Sequence, residues 1–339
     1  MQNRIPIFPV VESVDSGKRG ESVFSERQAM VKITNLWFVR AAFCLLLGIA
    51  ASGCATRNAC SELRKYPVDL ATSTNCVVDF GADAGQVNFA ALGALGNVQL
   101  AIHRATKGVY VRDSDYQRRE REARLSGMRW GAYHFGMPCM SEAEAVQQAD
   151  VYLAELRRVA RANHTENAPI LLVLDVENAG NYGHMDLNYA AAFLQRVADE
   201  TGKYPGFYTN PCQMMDAFSG ISDRTAAILR QCWLWPACYS YRPVALPLWD
   251  RWTFWQYTGD VSGYSRMSEV HTALPVSNAY SPEVAGFHRS DGGRLLNGVP
   301  VYDSADRSLF NGSPADFETF WTLHAVTLFG QSPATAMAR

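Results

Sequence analysis

Between residues 76 and 210, five strand-like apolar runs follow one another with helix-like stretches between them. The runs are CVVDFG (76–81), VQLAIHRAT (98–106), RWGAYHFG (129–136), APILLVLDVE (168–177) and YPGFYTN (204–210). The intervening stretches are VNFAALGALG (87–96), SDYQRREREARLSG (114–127), SEAEAVQQADVYLAELRRVARANH (141–164) and MDLNYAAAFLQRVADETGK (185–203). In the third of these, Ser141 followed by Glu144 is a capping-box signature. Five β-α units in succession call for a parallel sheet whose helices cover its outer face. Past residue 210 the pattern changes. CWLWPACYS (232–240) and WTFWQYT (252–258) are aromatic strand candidates with no long helix between them. A parallel sheet that finishes in tightly linked strands predicts an irregular, TIM-like β/α barrel: five β-α units, then strands with little helix. No GxGxxG follows the first strand, so a dinucleotide site lacks support. The polar stretch 260–300, with Gly, Ser and Pro scattered through it, is expected as an insertion on the barrel rim.

The chain ahead of the barrel carries an address. From Met30 the sequence runs MVKITNLWFVRAAFCLLLGIAASGC, with Lys32 and Arg40 preceding an apolar run from Ala41 to Ala51. That run is too short to span a bilayer and fits the core of a secretory signal, so 30–53 is expected to be a signal peptide. Residues 1–29 are expected to be a non-native extension upstream of a true start at Met30. The run ends in Ala51-Ser52-Gly53-Cys54, which resembles the lipobox of bacterial lipoproteins and implies cleavage before Cys54 and lipidation of its thiol. The remaining boundaries are a tether over 54–75, a barrel over 76–325 and a tail over 326–339. The expected location is the bacterial cell envelope, with the protein exported and lipid-anchored.

Cysteine usage fits export. Of the eight, Cys44 lies in the signal and Cys54 is the lipid candidate. The remaining six, Cys60, Cys76, Cys139, Cys212, Cys232 and Cys238, form an even set that suggests disulfides. No Cys-x2-Cys or His-x3-His pair occurs, so no metal is expected. No cofactor is expected either. A net charge of −2 offers no electrostatic case for nucleic acid.

The chemistry gathers where strands end. In LDVE, Asp175 and Glu177 are two residues apart, so on a strand they share a face. Mutual repulsion and poor solvation then push at least one of them toward the neutral form. A structural reading stays open, in which an acidic strand end caps a helix or meets an arginine. Asp79 ends the first run, Tyr133 and His134 the third, and Tyr208 the fifth; Trp255, Gln256 and Asp306 come later in the chain.

Taken in order, RATKG, GAYHF, LDVE and WQYT resemble glycoside hydrolase family 25, lysozymes that cut the glycan chains of peptidoglycan. The likeness runs from about Cys76 to Gly312. It implies an irregular β/α barrel and hydrolysis of the β-1,4 bond between N-acetylmuramic acid and N-acetylglucosamine. It also implies Glu177 as general acid and proton holder, Asp175 as its partner carboxylate, and Asp79 and Asp306 as two further acids. Tyr133, Tyr208, Trp255 and Gln256 are expected to contact sugar. His134, beside Tyr133 on a strand, points the other way and is expected in the core; His103 and Arg104 stay ambiguous. Two departures stand out: Lys107 replaces a residue that is commonly acidic, and Gly81-Ala82-Asp83 replaces a Ser-His pattern. The partners implied are glycan strands and, through Cys54, the membrane. Two alternatives remain: a peptidoglycan-binding protein with weak turnover, and a hydrolase of chitin-like glycans.

Overall fold

The computed structural model describes residues 60, 62–81, 86–87, 89–94, 98–239, 242–258, 287–288, 294–296, 299–301 and 306–329. All belong to the unit Ala59–Arg339. The signal peptide, Cys54 and most of 260–300 lie outside the described residues.

Eight strands build one barrel: β1 Thr74–Phe80, β2 Leu100–Lys107, β3 Arg129–Phe135, β4 Leu171–Asp175, β5 Gly206–Thr209, β6 Leu234–Pro236, β7 Phe254–Thr258 and β8 Asp306–Phe310. They pair in the order β6-β5-β4-β3-β2-β1-β8-β7. An isolated parallel bridge, Ala237↔Gln256, closes the ring. It is supported by Thr253 N donating to Leu234 O and Cys238 N to Gln256 O, each at 2.9 Å. Strands β1 to β6 are mutually parallel, whereas β8 runs antiparallel to both β1 and β7. Seven strands therefore end, and β8 begins, at the same mouth.

The barrel is solid because its strands are apolar on both faces, as parallel strands covered by helices must be. In β4, Leu171 and Val173 pack inward with Leu100, Ile102 and Val77, while Leu172 and Leu174 pack outward beneath the helices. Those helices are α1 Phe89–Ala94, α2 Tyr116–Leu125, α3 Glu142–Asn163, α4 Leu187–Thr201 and α5 Asp223–Leu229. Ser141 caps α3 by accepting from Glu144 N at 3.2 Å. The reciprocal half of the box is displaced by one residue, because Glu144 accepts from Met140 N instead. At the start of β5, a Cβ on Gly206 would sit 2.2 Å from the Trp233 ring, so only glycine fits there.

The packed unit reaches beyond the expected barrel at both ends. At the N-terminal side, residues 60–73 are not a free tether. Tyr66 is buried, its hydroxyl donating to Trp249 O at 3.0 Å and accepting from Leu246 N at 3.1 Å. Lys65 pairs with Val244, and a disulfide joins Cys60 to Cys212. This strap lies beside Trp249 and Trp252, on the side where no helix follows β6. At the other end, α6 Pro314–His324 is a helix the pattern did not predict, with a complete capping box between Ser313 and Asp316. Its Phe317 and Phe320 pack on Phe254 and Phe310, stopping the end of the barrel opposite the mouth. Val326 then pairs with Ile170.

The six cysteines yield one disulfide, not a set. Cys76, Cys139, Cys232 and Cys238 are free, and all but Cys139 are buried. Burial pushes the Cys76 and Cys238 thiols up to about 12, which keeps them unreactive. Among the described residues no group of His, Cys, Asp and Glu is arranged to hold a metal ion. Within the insertion, Arg294–Leu296 and Val299–Val301 form a short antiparallel pair.

Candidate active site

Each strand delivers its polar residue to the mouth for a local reason. Asp79, one residue from the end of β1, is the register partner of Asp306, the first residue of β8. Antiparallel pairing thus sets two acids, 227 positions apart in the chain, directly opposite each other. Asp175 ends β4 between Phe135 and Tyr208 of the flanking strands. Val176 turns outward, its N–H bonded to Tyr208 O at 2.9 Å, and so Glu177 returns to the inner side. All four acids line one cleft of roughly 620 Å³, together with Arg104, Tyr133, Tyr208, Trp235 and Gln256.

Burial governs the protons. It raises Glu177 to about 7, opposed by the Lys107 ammonium. It likewise raises Asp79 to about 7, with the Gln256 hydrogen bond opposing and the Glu177 charge adding. Asp175 is driven well above the carboxylate range by burial and by the charges of Glu177 and Asp79, against Arg104 and Lys107. The expected single proton on Glu177 is therefore too narrow a description. Asp79, Asp175 and Glu177 share the tendency as one interacting set, each raised by burial. Oδ1 of Asp79 and Oδ1 of Asp175 are buried with no hydrogen-bond partner.

Gln256 lines the cleft, and its hydrogen bonds go to protein groups. Its carbonyl oxygen accepts from the hydroxyls of Tyr208 and Tyr239, each at 2.8 Å. Its amide nitrogen donates to Asp79 Oδ2 at 2.8 Å and to Asp306 Oδ2 at 3.3 Å. A carboxamide has two donors and two acceptor sites, and all four are committed. Gln256 therefore positions acids. Tyr239, which the strand-end reading did not single out, completes this network.

Tyr133 and Tyr208 stand in the cleft wall as expected, but Trp255 does not. Gln256 faces the barrel interior, so its neighbour on β7 must face outward. Trp255 is fully buried there, against Trp252 and Tyr257, with Nε1 donating to Cys238 O at 2.8 Å. Trp235 of β6 supplies the indole of the cleft instead, held by Nε1 to Ser308 Oγ at 2.9 Å. Strict alternation along WQY carried the signal that Trp255 and Gln256 cannot share a face.

Both strand histidines are structural. His134 lies among Tyr152 and Phe193, its Nε2 3.1 Å from Gln148 Oε1 and its Nδ1 2.7 Å from Thr106 Oγ1; burial lowers it to about 4. His103 Nε2 faces the Arg119 guanidinium at 2.8 Å. An arginine N–H only donates, so Nε2 accepts and Nδ1 donates to Arg104 O at 2.7 Å. Burial, with Arg119 beside it, holds this ring well below the usual histidine range. The ambiguity therefore separates: His103 belongs outside the barrel and Arg104 inside the cleft.

A barrel that gathers mutually perturbed carboxylates among aromatic walls at its strand ends has the equipment of a glycoside hydrolase. The family profile described as Glycosyl hydrolases family 25 matches residues 78–264, more than half of the 339-residue chain. The chain belongs to that family, and the protein is a glycoside hydrolase. A search of curated protein sequences returned no match. Among solved structures, the bacterial lysozyme from Streptomyces coelicolor superposes with a TM-score of 0.50 at 20% identity, covering 75% of this chain and 98% of that one. A muramidase from Acremonium alcalophilum gives 0.49 at 19%, covering 74% and 98%. A family 25 glycosyl hydrolase from Bacillus anthracis gives 0.48 at 18%, covering 76% and 97%. At such identities the Streptomyces likeness speaks for the shared fold.

Proposed function

We propose that this enzyme cleaves peptidoglycan glycan strands at the β-1,4 bond between N-acetylmuramic acid and N-acetylglucosamine. Glu177 protonates the leaving oxygen, Asp175 is its partner carboxylate, and Asp79 and Asp306 flank them. The observation that carries this reading is the meeting of the four acids in one cleft, where burial raises three of them. Glycoside cleavage needs one acid that still holds its proton at working pH and negative charge near the developing oxocarbenium ion. The buried, unpartnered Oδ1 of Asp175 suits the acetamido N–H of a sugar, which favours a route in which the substrate's own N-acetyl group attacks. The lysozyme name of the Streptomyces protein that shares this fold supports the choice of substrate.

The test is digestion of purified peptidoglycan, with mass analysis of the sugar that bears each new reducing end. Wild-type protein should release muramic acid ends. Replacing the acid as Glu177→Gln should lower turnover by roughly 10² or more. New ends on glucosamine, or a Glu177→Gln protein of undiminished rate, would refute the assignment.

The same reading includes export. The signal-like run before Cys54 supports a protein held to the envelope by lipid on that thiol. No helix among the described residues is long and apolar enough to cross a membrane.

A further inference from the structure

The cleft contains a guanidinium whose bonding is unfinished. Arg104 reaches the wall from β2, beside Tyr133 of β3, its register partner. Its side chain is 24% exposed, and the single carboxylate within 4 Å among the described residues is Asp113. That contact, Nη2 to Asp113 Oδ2, is 3.5 Å long, the outer limit of a hydrogen bond. Asp113 is meanwhile engaged elsewhere, since its Oδ1 accepts from Asp115 N at 3.1 Å. Nε of Arg104 is buried without a partner.

A guanidinium has five N–H donors in a planar fork, and here one of them is used, weakly. A buried donor left unmet is destabilising, and the unpartnered Nε in the wall of a ligand cleft points to a ligand that meets it. The matching acceptor is planar and anionic: a carboxylate, taken by two parallel N–H···O bonds. Lys107, three residues along the same strand, adds a second positive charge whose field reaches Asp175 and Glu177.

We propose that Arg104 receives a carboxylate of the substrate glycan and makes the enzyme select acidic over neutral strands. This rests on the peptidoglycan reading, which supplies two sources of carboxylate. One is the lactyl group of muramic acid where no peptide is attached; the other is the side chains and terminus of an attached peptide. Chitin-like oligomers have neither.

Binding tests this separately from hydrolysis. Glu177→Gln protein, with and without Arg104→Gln, is titrated calorimetrically with peptide-free glycan strands, peptide-bearing strands and neutral N-acetylglucosamine oligomers of equal length. Adding Arg104→Gln should weaken binding of a carboxylate-bearing strand tenfold or more relative to the neutral oligomer. Loss confined to peptide-free strands assigns the lactyl carboxylate; loss confined to peptide-bearing strands assigns the peptide. Arg104→Lys, which retains charge but not the fork, should fall between the two and serves if Arg104→Gln melts early. Equal weakening for acidic and neutral ligands, or none for either, overturns the proposal. Failure of the wild type to cut peptidoglycan would refute the proposed reaction but leave these binding ratios measurable.

Discussion

Lys107 shows how one side chain tunes this cleft. Its ammonium lies 4.7 Å from the centre of the Phe135 ring and is the opposing influence on the raised Glu177. The sign of its effect is clear. Glu177 works as an acid only while protonated, so activity falls as pH rises through its value of about 7. A cation beside it favours the carboxylate and moves that fall to lower pH. Lys107→Met should therefore shift the alkaline limb of kcat/KM upward, by roughly half a unit to one unit. A limb that stays put, or moves down, would separate Lys107 from the acid. Asp79, Asp175 and Glu177 were legible from sequence because they close apolar runs, whereas Asp306 precedes its strand and was marked only by the family resemblance. What Gln256 does was not legible, since its part depends on Tyr208, Tyr239, Asp79 and Asp306, all brought in from other strands.

Elements were legible where local rules decide them. The helix expected at 141–164 is observed as Glu142–Asn163, because Ser141 caps it and a stretch of good helix formers follows. The N-terminal strap was missed because nothing periodic marks it. Cys60 and Tyr66 are held by groups roughly 150 and 180 positions away, and such contacts leave no local pattern. The disulfide closes a separation of 152 residues. Joint replacement Cys60→Ser with Cys212→Ser should cost about 2–4 kcal/mol. For a unit of this size that lowers Tm by roughly 3–8 °C. Calorimetry of the variant and of reduced wild type should agree. An unchanged Tm in both would mean that Tyr66 and its partners hold the strap unaided.

At the scale of the whole molecule, one reversed strand makes the site. If β8 ran parallel to β1, Asp306 at its start would lie at the far end of the barrel. Running antiparallel, it pairs directly with Asp79. Export belongs to this scale as well. With lipid on Cys54, wild type should partition into membranes and its N-terminal peptide should have the mass of an acylated cysteine. Cys54→Ser protein should be released from membranes with its hydrolytic rate intact. Wild-type protein found without lipid would end this part of the reading.

The sequence by itself determined the alternation of strand and helix, the apolar faces and the three acids that close apolar runs. These follow from periodicity and local propensity, which neighbouring residues settle among themselves. Only the tertiary structure decided the direction of the last strand, the outward turn of Trp255, the bonding of Gln256 and the incomplete pairing of Arg104. Each of those depends on which distant groups share a small, poorly solvated space. There the energy of a proton or a hydrogen bond is set by the company it keeps.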